Sequence, residues 1–130
     1  MKFATINGIS IHYQFDDAGT GKPLIVFSNS LATDFRIWQD CVDDLLADYS
    51  ILRYDKRGHG LSGMGTPPYQ IDDHVNDLVT LMDHIGLSGA VVVGLSVGGL
   101  IAQGLYHARP DLAKAPVSYT HLTLPTIYSV

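Results

Sequence analysis

Cysteine is almost absent. Cys41 stands alone in 130 residues, so no internal disulfide can form, and the chain fits a reducing cytoplasm. Charge is sparse, at 16%, and eight Lys and Arg face thirteen Asp and Glu for a formal net charge of -5. That balance lacks the basic footprint of a nucleic-acid binder. Long apolar runs are missing as well. None approaches the ~20 residues needed to span a bilayer, and Met1-Lys2-Phe3-Ala4-Thr5 leads into no secretory core. Neither a nucleic-acid nor a membrane partner is expected. No metal is expected either, because His12, His74, His84, His107 and His121 stand at no metal-ligand spacing. Cys41 falls within a helical pattern and reads as a small buried filler.

What is present is a 46% hydrophobic chain with room for one domain at most. Residues 2–16 alternate apolar and polar around Asn7-Gly8, the strongest short hairpin signal. Leu24-Ile25-Val26-Phe27 is continuously apolar, as a parallel strand covered on both faces must be. A helix capped by Thr33 or Asp34 is expected to run to about Ala47, with Phe35, Trp38, Val42, Leu45 and Leu46 on one face. Strand Ser50–Asp55 follows, then a Gly/Pro-rich loop over 56–70. A second helix spans Ile71–Gly86 on Val75, Leu78, Val79, Met82 and Ile85. Strand 90–93 and a third helix ending near Arg109-Pro110 complete the pattern. Strands alternating with helices imply an α/β fold, a parallel sheet with a hairpin at one edge.

The chemistry concentrates at Gly94-Leu95-Ser96-Val97-Gly98. A β-branched strand turns sharply there and continues as a helix, which is the context a G-x-S-x-G nucleophile elbow requires. Ser96 is the candidate nucleophile. The amide of Val97, at the start of the helix, can meet a developing oxyanion. The loop Ser28-Asn29-Ser30-Leu31 follows the preceding parallel strand and is placed to supply a second amide, from Leu31, with Ser30 or Ala32 one register away. Asp55-Lys56-Arg57-Gly58-His59-Gly60-Leu61-Ser62 reads as structural. Arg57 is expected to bond loop carbonyls, and His59 to be held in a rigid turn rather than to serve as a base. A nucleotide-binding domain also joins strand, Gly-rich turn and helix, but Gly94 to Gly99 is neither G-x-G-x-x-G nor a P-loop with its lysine.

Together these runs resemble the α/β-hydrolase family, over nearly all of residues 1–115. Within it, Ser28-Asn29-Ser30-Leu31-Ala32-Thr33-Asp34 with Trp38, and Arg53-Tyr54-Asp55-Lys56-Arg57-Gly58-His59-Gly60, are similar to the 3-oxoadipate enol-lactonases of aromatic breakdown. The resemblance implies hydrolysis of a small ester or lactone without cofactor, by Ser96 with the Leu31 and Val97 amides. Other readings are a carboxylesterase, a cofactor-free perhydrolase or a non-catalytic protein that kept the fold. Haloalkane dehalogenases and epoxide hydrolases carry Asp where Ser96 stands.

In this family the acid and the histidine base follow the serine in chain order. After Ser96 come only Asp111, His107 and His121, none placed like a triad member. The chain therefore reads as the N-terminal portion of the fold, truncated before the lid and the C-terminal strands, and by itself inactive. From Pro116 the character changes: Pro116-Val117-Ser118-Tyr119-Thr120-His121-Leu122-Thr123-Leu124-Pro125-Thr126 resembles the forward translation of a transposon-type sequencing-library adapter. Residues 1–115 are expected to be the partial hydrolase domain and 116–130 a non-native tail. Cut at 115, the apolar strand 90–93 would be left as an aggregation-prone edge.

Overall fold

Asn7 and Gly8 take φ of 51° and 79°, the two left-handed positions a type I′ turn demands. They join β1 (Lys2–Ile6) to β2 (Ile9–Asp16) in an antiparallel hairpin. The structure is a computed structural model describing residues 2–19, 21–29, 35–60, 62–63 and 70–119. The other strands are β3 (Leu24–Ser28), β4 (Ser50–Tyr54), β5 (Ala90–Leu95) and β6 (Ala113–Tyr119). The helices are α1 (Gln39–Leu45), α2 (Ile71–Ile85) and α3 (Val97–Ala108). One sheet results, in the order β1-β2-β4-β3-β5-β6, with β4, β3, β5 and β6 parallel and β2 antiparallel to β4. This is the expected hairpin-edged α/β arrangement with three helices.

Strand periodicity sorts the core into two layers. Leu24 and Val26 of β3, with Leu52 and Tyr54 of β4, pack on α2 and α3 through Val75, Leu78, Met82, Ile101 and Leu105. The alternate residues Ile25, Phe27 and Ile51 face the other way, against Trp38 and Val42. α2 starts on a reciprocal capping box between Gln70 and Asp73 and ends on Gly86 at φ 86°, the left-handed C-cap that glycine permits.

Two expectations are corrected. The first helix is shorter than expected: a 3-10 turn over Phe35–Trp38 leads into α1, which stops at Leu45, so Leu46 is exposed. Its expected caps, Thr33 and Asp34, lie outside the described residues. Cys41 is exposed and free rather than buried, because so short a helix seats only Trp38 and Val42 deeply. Partial desolvation, with Asp40 and Asp44 alongside, pushes its thiol upward. Along the outer side of β5, β6 pairs from Ala113 to Tyr119, with an irregularity between Ala90 and Val91. Pro116, which has no amide hydrogen to donate, is accommodated because β6 is itself the outermost strand.

From β3 the chain crosses to β4 on one side, and from β5 it crosses to β6 on the other. Where connections diverge like this, a crevice opens at the carboxyl ends of the two strands. Ser28-Asn29 and Leu95-Ser96 are the residues that end β3 and β5.

Candidate active site

Among the described residues only Asn7 and Ser96 are non-glycine positions with positive φ. Asn7 is explained by its turn. Ser96, at φ 57° and ψ -116°, has no such local reason, and an outlier of this kind costs about 1–3 kcal/mol. What imposes it is the closeness of strand and helix. A Cβ on Gly94 would run into the carbonyl of Gly98 and the amide of Gly99, and a Cβ on Gly98 would run into the carbonyls of Ser28 and Asn29. The two glycines let β5 fold back onto α3 and let α3 rest on the end of β3. The chain between them can only pass through a sharp corner, and that corner lifts Ser96 outward.

Ser96 is exposed, and its side chain makes no capping bond. Its carbonyl accepts from the Gly99 amide at 2.9 Å. Val97 is the first residue of α3, where an amide has no acceptor inside the helix and the positive end of the helix dipole is concentrated. The expected partner amide, Leu31, lies outside the described residues, as do Ser30 and Ala32. The last described residue before it, Asn29, is fully buried with its carbonyl against Gly98.

Asn29 is held at both ends. Lys56 Nζ donates to its backbone oxygen at 2.8 Å, and Trp38 Nε1 donates to its Oδ1 at 3.0 Å. Indole offers only a donor, so the amide oxygen must face it; Nδ2 finds no partner among the described residues. Next to it, Ser28 Oγ and Tyr54 Oη lie 3.1 Å apart in the core, and burial drives the Tyr54 phenol well above its ordinary range. Lys56 is 1% exposed. Burial pulls its amine down to about 8, with Asp55 opposing. Neither Lys56 nor Trp38 was legible as a support for this loop. The only hint was position, since Lys56 lies two residues beyond the carboxyl end of β4.

The run from Asp55 to Ser62 makes structural bonds, and the expected carbonyl partners of Arg57 fall partly outside the described residues. Arg57 grips Asp77 of α2 with two bonds, Nε to Oδ2 at 2.7 Å and Nη2 to Oδ1 at 2.8 Å. Asn7 Nδ2 joins the same carboxylate at 3.0 Å. The pair is favoured because planar guanidinium matches carboxylate and α2 passes within reach. Asp55 takes His12 Nδ1 at 2.8 Å, and its carboxylate occupies the space a Cβ on Gly60 would need. Ser62 Oγ donates to the Asp55 carbonyl at 2.5 Å and accepts from the His12 amide at 2.8 Å. His59 Nδ1 lies 3.0 Å from the Arg57 carbonyl, in keeping with a turn residue. His74 is buried on α2 and its imidazole is pushed downward, chiefly by desolvation and then by Lys56. Asp111 pairs with Arg109 at 2.9 Å, His107 is exposed on α3, and His121 lies outside the described residues. Among the described residues no His, Cys, Asp and Glu cluster is arranged to hold a metal, and no helix is long and apolar enough to cross a membrane.

Asp77→Ala takes the bidentate carboxylate from the Arg57 guanidinium, which is 13% exposed, and removes the Asn7 partner. Breaking a buried pair from one side costs about 3–5 kcal/mol. A urea midpoint lowered accordingly, with the slope unchanged, is the expected result.

Residues 23–121 match the family model described as alpha/beta hydrolase fold. The 3-oxoadipate enol-lactonase 2 of Acinetobacter baylyi is 39% identical over 90 residues, covering 69% of this chain and 34% of that protein. A Pseudomonas savastanoi pv. phaseolicola protein with a provisional carbamate-hydrolase name is 32% identical over 108 residues, covering 82% of this chain and 42% of its own length. Among solved structures, an enol-lactonase from Burkholderia xenovorans LB400 superposes with a TM-score of 0.81 at 38% identity, over 86% of this chain and 44% of that one. The chain thus spans between a third and a half of these relatives.

Proposed function

The chain belongs to the α/β-hydrolase family, and from that premise we propose that it carries the nucleophile of a serine hydrolase acting on a small carboxylic ester or lactone, with 3-oxoadipate enol-lactone as the substrate. The observation that carries this reading is Ser96, exposed at φ 57° on the corner between β5 and α3. Its Oγ attacks the ester or lactone carbonyl while a base removes its proton. The oxyanion is held by the Val97 amide at the helix N-terminus and by that of Leu31. The C–O bond to the leaving oxygen breaks, and water then releases the acid from the acyl-enzyme. No cofactor enters these steps. The base and the acid that orients it are assigned to residues beyond this stretch, in keeping with the greater length of the relatives. Without them the 130-residue chain keeps only residual catalysis. The substrate is proposed from enol-lactonase relatives at 39% and 38% identity; the carbamate-hydrolase name at 32% marks the alternative.

In the full-length enzyme, kcat/KM for 3-oxoadipate enol-lactone is expected to exceed that for a carbamate of similar size by about 100-fold or more, a ratio that differential transition-state binding alone can supply. Equal values would reassign the substrate and leave Ser96 in place.

Residues 116–130 are proposed to be foreign to the domain, on the adapter resemblance of 116–126. The family match to residue 121 and the strand to Tyr119 stand on the other side. The genomic sequence beyond Ala115 decides between them.

A further inference from the structure

We propose that Lys56 is a positioning residue for the oxyanion loop, its ammonium fixing the Asn29 peptide at the point where the chain leaves β3 toward Leu31. The proposal rests on the serine-hydrolase reading for its purpose and on geometry alone for its content. Three groups converge on Asn29. Lys56 Nζ holds the backbone oxygen at 2.8 Å, Trp38 Nε1 holds the side-chain oxygen at 3.0 Å, and Gly98 approaches too closely to admit a Cβ. Because a peptide unit is planar, fixing that oxygen fixes the plane of the Asn29 peptide. Gly98 lies two residues from Ser96, so the same contact keeps Asn29 close to the corner that carries the nucleophile.

A lysine is an uneconomical way to fill an apolar interior. Lys56 is 1% exposed, and its charge survives there only through partners. Asp55 beside it and His74 on α2 face the ammonium, with Arg57, His59 and Asp77 gathered around His74. An apolar side chain would fill the space and leave the Asn29 oxygen unpaired. A charged donor gives a short, charge-assisted bond, roughly twice as strong as a neutral one. That bond weakens when the amine loses its proton, so the loop's hold relaxes as pH passes about 8.

The chain has one tryptophan, Trp38, and it is bonded to the same asparagine. Its indole ¹H–¹⁵N resonance in the 130-residue chain, followed from pH 6.5 to 9.5, is expected to move through a single transition centred near 8. His74 is displaced below its ordinary range and Cys41 above its own, so neither accounts for a midpoint there. Lys56→Met should abolish the transition, and Lys56→Arg, a donor that keeps its charge, should hold the resonance at its low-pH position throughout. A lysine with no hold on Asn29 would give no titration at Trp38. A transition that survives Lys56→Met overturns the proposal, and so does an indole resonance that Lys56→Met leaves at its low-pH position. Neither outcome touches the assignment of Ser96, which is read by covalent labelling.

Discussion

Ser96→Ala in the full-length enzyme is expected to lower kcat by roughly a million-fold, the loss seen when a nucleophile of this kind is removed. Substrate should still bind, since the backbone amides proposed for the oxyanion are untouched, so KM should change little. Stability separates this residue from an ordinary turn serine. The hydroxyl is exposed and makes no capping bond, so its loss costs within about 0.5 kcal/mol. The backbone at φ 57° is another matter. Glycine adopts positive φ without a Cβ penalty, and relief of about 1–3 kcal/mol is offset by the roughly 0.5–1 kcal/mol of extra unfolded-state entropy. Ser96→Gly should therefore be about 0–2.5 kcal/mol more stable than Ser96→Ala in urea, and as inactive. A Ser96→Gly chain less stable than Ser96→Ala would mean the corner holds no strain.

The largest effect on folding is expected at Gly94. A methyl there would overlap the Gly98 carbonyl and the Gly99 amide. These are backbone atoms held in a helix, with no rotamer to escape into. Either β5 and α3 part, or the corner at Ser96 opens. A loss above about 4 kcal/mol is expected, a large share of a domain's total of about 5–15 kcal/mol. Two other glycines calibrate the scale. At Gly104 a Cβ would stand 2.6 Å from Val75 Cγ2, a side-chain atom that can shift, so alanine should cost about 1–3 kcal/mol. At Gly86 nothing lies within 4 Å and only φ 86° resists, for about 1 kcal/mol. The order Gly94 > Gly104 > Gly86 in urea midpoints is the result to look for. A Gly94→Ala chain as stable as Gly86→Ala would contradict the packing described for the elbow.

How much of this was legible beforehand follows a physical division. Features set by neighbouring residues were readable: Asn7-Gly8 announces its turn, Gly86 its C-cap, and Gly94 to Gly98 the corner between strand and helix. Faces set by periodicity were readable as well, as Val75, Leu78 and Met82 show. Pairings across the fold were not. Arg57 and Asp77 are 20 residues apart, Lys56 and Asn29 27, His12 and Asp55 43, and nothing in a local window says which carboxylate a buried arginine will meet. The first helix failed for another reason. Trp38 and Val42 gave it an apolar face, but the pattern did not encode a 3-10 entry or a stop at Leu45, and so it put Cys41 and Leu46 inside. The stretch from Pro116 was set aside on its adapter resemblance; as part of β6 it pairs along β5, and such pairing satisfies backbone groups whatever the side chains are.

The central claim is that the Ser96 hydroxyl is the reactive group, lifted into the open beside an amide awaiting negative charge. Treating the full-length enzyme with a fluorophosphonate and mapping the adduct by tandem mass spectrometry tests it most directly. One adduct on Ser96, absent from Ser96→Ala and accompanied by stoichiometric loss of activity, is the expected result. An enzyme that turns over its substrate while Ser96 stays unmodified and the adduct sits on another residue would contradict it.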